Sequence, residues 1–178
     1  MDTVLLETRR GPVVMRPEQP SDADFLYALF RVDAIADLAE APIDDATKEG
    51  LVRMQFNSRN ASYRAQYPTA RFDIIERDGV PIGRFIVHDS DDEAYFVDFA
   101  LLPEHRRGGL GAAITAAMMA RHSRGTRPVR VLVLYTNEIS LHMCDRLGFV
   151  DVGGEPPYRR LEWRPPASDS NLKSEIPN

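Results

Sequence analysis

The run Leu101-Leu102-Pro103-Glu104-His105-Arg106-Arg107-Gly108-Gly109-Leu110-Gly111-Ala112 constrains this chain more than any other. Before it, Ala94 to Leu102 reads as a strand, and Pro103 closes it. After it, Leu110, Ala113, Ile114, Ala117, Met118 and Arg121 recur at helical spacing, which predicts a helix over Gly109–His122. That stripe reads as core contact rather than a ligand box. The chain must therefore pass from strand to helix through a glycine-rich turn. The first N–H groups of such a helix have no partner within it, and with the helix dipole they favour an anion. Gly108, Gly109 and Gly111 lack the Cβ atoms that would hold a phosphate away from the backbone. Arg106 and Arg107 add positive charge at the mouth.

The turn alone leaves several readings open. A glycine-rich turn that binds nothing has the same letters. A dinucleotide-binding turn should follow the first strand of a βαβ unit, with an acid about 20 residues later; here that interval reaches the apolar run around Val131. A Walker loop requires Gly-Lys-Ser/Thr after its spacer, and none is present.

The 178 residues suit one domain. A net charge of −5 gives no support to a nucleic-acid partner. A single cysteine, Cys144, excludes an intrachain disulfide, and with four scattered histidines it leaves no Cys/His metal site, so no metal is expected. Neither a signal peptide nor a membrane-spanning run is visible, which fits a cytoplasmic protein without a membrane partner. Residues 1–11 read as a loose lead-in, 12–164 as the domain, and 165–178, rich in proline and polar residues, as a disordered tail.

Within the domain, Pro12 to Arg16 predicts a short strand, and Ser21-Asp22-Ala23-Asp24 a serine-capped helix with Phe25, Leu26, Leu29, Phe30 and Val32 on its apolar face. A second helix is expected from Asp44 or Asp45 to Gln66, ended by Pro68. Phe72–Glu76 and Ile82–His88 read as strands joined by an Asp78-Gly79 hairpin turn. The acidic run from Asp89 to Glu93 reads as a solvated loop. Val129 to Tyr135 reads as an apolar strand covered on both faces. Asn137 to Leu147 follows as a helix, with Gly148 where a left-handed C-terminal residue belongs and Phe149 packing back. Val150 to Trp163 supplies one or two further strands. The order implies a mixed α/β sheet with a crossover helix in its second half.

Arg106-Arg107-Gly108-Gly109-Leu110-Gly111 resembles the signature of the GNAT N-acetyltransferases: Arg or Gln, two free positions, Gly, one free position, Gly or Ala. Downstream, Asn137-Glu138-Ile139-Ser140 and Arg146-Leu147-Gly148-Phe149 resemble that family's second motif. The resemblance spans roughly Val13 to Trp163. It implies the GNAT fold, a mixed and mostly antiparallel central sheet with helices on both faces and a β-α crossover carrying the acyl-coenzyme A site. It also implies acetyl-coenzyme A as co-substrate and transfer of its acetyl group to a primary amine on a small molecule or a protein. A catalytically degenerate acyl-coenzyme A-binding module is the alternative. The acceptor and the oligomeric state, a homodimer included, stay open.

The resemblance also implies roles. Phe99, Ala100 and Leu101 would hold the pantetheine arm and thioester, and Arg106, Arg107, Gly108, Gly109, Leu110, Gly111, Ala112 and Asn137 the rest of the cofactor. Acyl transfer requires the amine to lose a proton. Asp98, in the apolar strand Phe96-Val97-Asp98-Phe99-Ala100, is either that base or the partner of Arg84 in a cross-strand ion pair, and a water chain is a third route. Gln55, Arg59, Tyr63 and Gln66 form a polar and aromatic stripe that is either a solvated face or an acceptor surface. Tyr135, Thr136 and Tyr158 lie by resemblance near the cleft. One departure stands out: where the family often has a tyrosine acid, five residues before the final Phe, this chain has Cys144, either a substitute acid or a packed core residue.

Overall fold

The computed structural model describes residues 3–123 and 127–166; the expected tail falls almost wholly outside them. Eight strands form one sheet in the order β1-β2-β3-β4-β5-β6-β8-β7. They are β1 (Val4–Leu6), β2 (Val13–Pro17), β3 (Arg71–Arg77), β4 (Val80–Asp89), β5 (Ala94–Leu101), β6 (Val129–Leu134), β7 (Val150–Asp151) and β8 (Tyr158–Trp163). Every neighbouring pair is antiparallel except β5–β6. That parallel pair is joined by the crossover helix α3 (Leu110–His122), as a parallel connection requires.

α3 and α4 (Glu138–Arg146) cover one face of the sheet. There Ile114, Met118 and Cys144 pack with Met15, Phe85, Phe96, Val129 and Leu161 in the main core. α1 (Ala23–Asp37) and α2 (Asp45–Gln66) pack together on the other face through Tyr27, Ala34 and Val52. Each boundary has a local cause. Asp44 caps α2, its carboxylate accepting from the Thr47 N–H at 2.9 Å. At the end of α4, Gly148 takes φ +85°, Gly148 N–H donates to Asp145 O, and Phe149 N–H donates to Cys144 O at 3.0 Å. These two bonds make a Schellman cap.

Several expectations are corrected. The lead-in contains a strand: β1 pairs with β2, Leu5 opposite Val14, and buries Leu6. Ser21 does not cap α1. A 3-10 turn at Pro20–Asp22 precedes it, and Asp22 accepts from the Gln19 N–H while paired to Arg16 at 2.7 Å. On α1, Leu26 and Leu29 are buried as expected, Tyr27 and Ala34 join them, and Val32 faces solvent instead. In the acidic run Asp89, Asp91 and Asp92 are exposed as expected, but Asp89 also pairs with Arg127 at 2.6 Å, and Glu93, half-buried, pairs with Arg130. Among the described residues β6 is not covered on both faces, since Leu132 and Leu134 are each about 40% exposed.

Two irregularities shape the middle of the sheet. Ile86 pairs with Asp98 but Val87 with Phe96, so Val97 is an extra residue, a bulge in β5. It turns Asp98 onto the α2 face together with Arg84 and Ile86; without it, Asp98 would share the α3 face with Phe96. In addition, β5 and β6 pair only from Ala94–Val129 to Phe96–Val131. Beyond that point the strands part, and the β6 side of Val97–Leu101 has no strand partner.

Candidate functional site

The wedge between β5 and β6 opens toward the turn that starts α3. Within that turn Gly108 N–H donates to Arg106 O at 2.8 Å across Arg107, which is left-handed at φ 61°. Gly109 caps the helix at φ +80°, a conformation glycine adopts without strain. Ala113 N–H is the first to find a carbonyl, Gly109 O, at 3.0 Å. Among the described residues no acceptor meets the N–H groups of Arg107, Gly109, Leu110, Gly111 or Ala112. Five amides without acceptors at a helix start, on a turn whose Arg107, Gly108 and Gly109 are exposed, form a concavity for an anion.

The two arginines divide their work. Arg106 Nε donates to Leu101 O at 2.7 Å, and its two Nη atoms pair with Asp33 of α1 at 2.8 and 2.9 Å. Its charge is therefore engaged in tying the strand end to α1, a role the sequence does not announce. Arg107 is exposed and makes no ion pair among the described residues. A second cation arrives unannounced. The guanidinium of Arg10, on the β1–β2 loop, lies 3.2–3.3 Å from where a Cβ on Gly109 would sit. Arg77 fixes that loop by donating to Arg10 O at 2.6 Å. No local pattern around Arg10 marks it, because residues 1–11 read as a loose lead-in by sequence.

Gly111 is also corrected. A Cβ there would meet Phe99, Leu101 and Met143 at 3.5–3.8 Å, so it points under α3 rather than at the anion. Gly109 and Gly108 keep the outward surface open, with nothing within 4 Å of a Cβ on Gly108. Phe99 and Ala100 are half-buried along the free side of β5, and Phe99 packs on Phe85 with centroids 5.2 Å apart. Asn137 caps α4, its Oδ1 accepting from Ser140 N–H at 3.1 Å.

On the α2 face, Asp98 sits between two guanidinium groups. Arg84 donates to Oδ2 through Nε at 3.0 Å and Nη2 at 2.5 Å; Arg59 donates to Oδ1 at 2.5 Å. Arg84 also donates to Asn60 Oδ1 at 2.8 Å, and the Asp98 and Arg84 side chains are only 7% and 6% exposed. Of the two readings of Asp98, this geometry is the ion pair with Arg84, extended to α2 by Arg59. A proton on either oxygen would displace a charge-assisted bond. Arg59 Nε donates to Tyr63 Oη at 2.8 Å, and burial, with the Asp98 charge, pushes the Tyr63 phenol above its usual range. Two of the stripe residues thus line the approach to β5. Gln55 is exposed further along α2 and joins none of these bonds. Tyr135 follows β6, 42% exposed, with the Arg159 guanidinium 5.4 Å from its ring.

Cys144 faces the core. It is 3% exposed among the apolar residues of the α3 side, and burial pushes its thiol up to about 11. This burial on the inward face of α4 fits the packing reading. Among the described residues no group of three or more His, Cys, Asp or Glu side chains is placed to hold a metal ion, and no helix is long and apolar enough to cross a membrane.

A strand pair that parts beside a helix start rich in free amides is an α/β geometry suited to an anion. A sequence profile described as the Acetyltransferase (GNAT) family matches residues 35–149. The chain belongs to the GNAT acetyltransferase family. A search of curated proteins returns no match. Solved structures share the fold at low identity. PaiA N-acetyltransferase from Thermoplasma acidophilum, in complex with coenzyme A, has a TM-score of 0.59 at 16% identity over 85% of this chain and 98% of that one. Mycobacterium smegmatis RimJ, in complex with CoA-disulfide, gives 0.62 at 16% over 92% and 87%. Spermidine N-acetyltransferase from Vibrio cholerae, with coenzyme A and spermine, gives 0.56 at 15% over 85% and 95%.

Proposed function

We propose that this protein transfers an acyl group, acetyl above all, from acyl-coenzyme A to a primary amine. The observation that carries the reading is the set of unpaired amides of Arg107, Gly109, Leu110, Gly111 and Ala112 at the end of a strand whose β6 side is free. The amides, with Arg107 and Arg10, suit the pyrophosphate, and the free side of Phe99, Ala100 and Leu101 suits the amides of a pantetheine arm. A backbone N–H on that side is the group available to meet the negative charge that grows on a thioester oxygen. Arg106 holds the strand end to the turn, so both halves of the ligand meet one rigid edge.

In this reading Asp98 is an anchor. It fixes Arg59 and, through it, Tyr63 beside the wedge, where an acceptor would approach from the α2 side. The amine proton then passes to water in the open cleft rather than to Asp98, and the leaving thiolate is protonated without Cys144. The engagement of Asp98 and the burial of Cys144 also favour the second reading, a coenzyme A-binding module without turnover.

One experiment separates them. The protein is incubated with acetyl-coenzyme A and a panel of polyamines, amino acids, aminoglycosides and peptide N-termini, and free thiol is followed. Amine-dependent thiol release supports transfer. Tight coenzyme A binding with no amine raising thiol release above background supports the module.

A further inference from the structure

A second cavity, of about 400 Å³, lies on the α3 face at the far end of that helix, lined by its last turn and by β2, β3 and β4. That volume is within the range of small-molecule sites. Met15, Val87 and Met118 give it an apolar wall. Asp73 lines it and is 1% exposed. Arg71 donates to Asp73 Oδ2 at 2.5 Å, but Asp73 Oδ1 has no hydrogen-bond partner. A buried carboxylate oxygen without a donor is costly and calls for an explanation. Burial pushes the Asp73 carboxyl above the usual carboxylate range, as expected for an oxygen short of donors.

The other polar groups narrow what would fit. Arg121 lines the same cavity, is exposed, and makes no hydrogen bond or ion pair among the described residues. It offers a guanidinium to an anion. His122 is held by Asp89 through Nδ1 at 3.1 Å, and burial lowers its imidazole from the usual range, which disfavours a charge there that would repel a cation. A water molecule would satisfy Oδ1 but would leave Arg121 unused and an apolar wall facing water. A ligand with a donor at one point, an anion at another and a short hydrocarbon between uses all three.

We propose that this cavity binds a small α-amino carboxylate with an aliphatic side chain: its ammonium on Asp73, its carboxylate on Arg121, its hydrocarbon against Met15, Val87 and Met118. The site is separate from the phosphate turn. It lies about 12–18 Å along α3 from that turn, given eight to twelve residues at 1.5 Å each. It does not depend on the acyl-transfer reading, because neither Asp73 nor Arg121 touches the wedge.

Isothermal titration of the full chain with L-leucine tests it, beside 4-methylpentanoate, which lacks the amine, and 3-methylbutylamine, which lacks the carboxylate. Leucine should bind saturably, and each half-ligand at least about tenfold more weakly. Asp73→Asn and Arg121→Ala should each weaken leucine by about tenfold or more, and Thr69→Trp, at an exposed lining position, should abolish binding. If Asp73→Asn fails to fold, Arg121→Ala and Thr69→Trp carry the test. No saturable binding of leucine overturns the proposal. So does a half-ligand that binds as tightly as leucine, or leucine binding that survives both Arg121→Ala and Thr69→Trp.

Discussion

Asp98→Asn decides what the carboxylate beside the cleft is for. The substitution keeps the volume and removes the charge. It leaves Arg84, 6% exposed, with Asn60 Oδ1 and one amide oxygen in place of a carboxylate. Removing one partner of a buried ion pair costs about 3–5 kcal/mol, and the retained acceptor returns part of it, so a loss of about 3 kcal/mol is expected. Arg59, 44% exposed, adds less than about 1 kcal/mol. For a domain of this size 1 kcal/mol is about 2–4 °C, so the midpoint should fall by about 6–12 °C. Circular dichroism melts give the shift, and acetyl-coenzyme A consumption well below the midpoint gives turnover per folded molecule. Adding Arg84→Met should restore much of the loss, because both buried charges are then gone. A midpoint within about 2 °C of wild type, with turnover down about a hundredfold in folded protein, would refute the anchor and make Asp98 a base.

Cys144→Ala should keep nearly full kcat while costing about 1 kcal/mol of stability from the core, read by kinetics and urea melts. Its thiol, near 11 when folded against an ordinary 9.0, contributes stability fully below about pH 9 and loses it as pH rises toward 11; that falling limb should shrink in the alanine variant. Gly109→Ala forces an alanine left-handed beside Arg10, which should cost about 1–2 kcal/mol and weaken coenzyme A, whereas Gly111→Ala, with its Cβ under α3, should do neither. Arg107→Gly should relieve about 1 kcal/mol of backbone strain yet weaken coenzyme A by calorimetry, opposite signs from one change.

What was legible in the sequence is what is local. Asp44 and Pro68 bracket α2, Asp78-Gly79 turns the β3–β4 hairpin, and Leu147-Gly148-Phe149 closes α4, since each signal acts within a few residues of itself. The succession of elements from β2 onward and the crossover helix followed from these pieces. What was hidden is tertiary. Three residues, Val4 to Leu6, carry too little pattern to mark a strand until β2 pairs with them. Arg106 meets Asp33 73 residues away, and Arg10 reaches Gly109 from the other end of the chain. The Val97 bulge sets which face Asp98 occupies, and strict alternation along β5 would have placed it on the other. The turn was therefore found by its letters, but which of its glycines faces the ligand required the fold.

The central claim is that the free amides of Arg107 and of Gly109 to Ala112 are the anchor for acyl-coenzyme A. An amide-resolved NMR titration of the labelled protein with coenzyme A, and separately with pantetheine, measures it directly. The N–H signals of Arg107, Gly109, Leu110, Gly111 and Ala112 should move together and saturate with coenzyme A, and stay in place with pantetheine, which lacks the phosphates. Saturable coenzyme A binding that leaves those five signals unmoved, or no binding at all, would contradict the account.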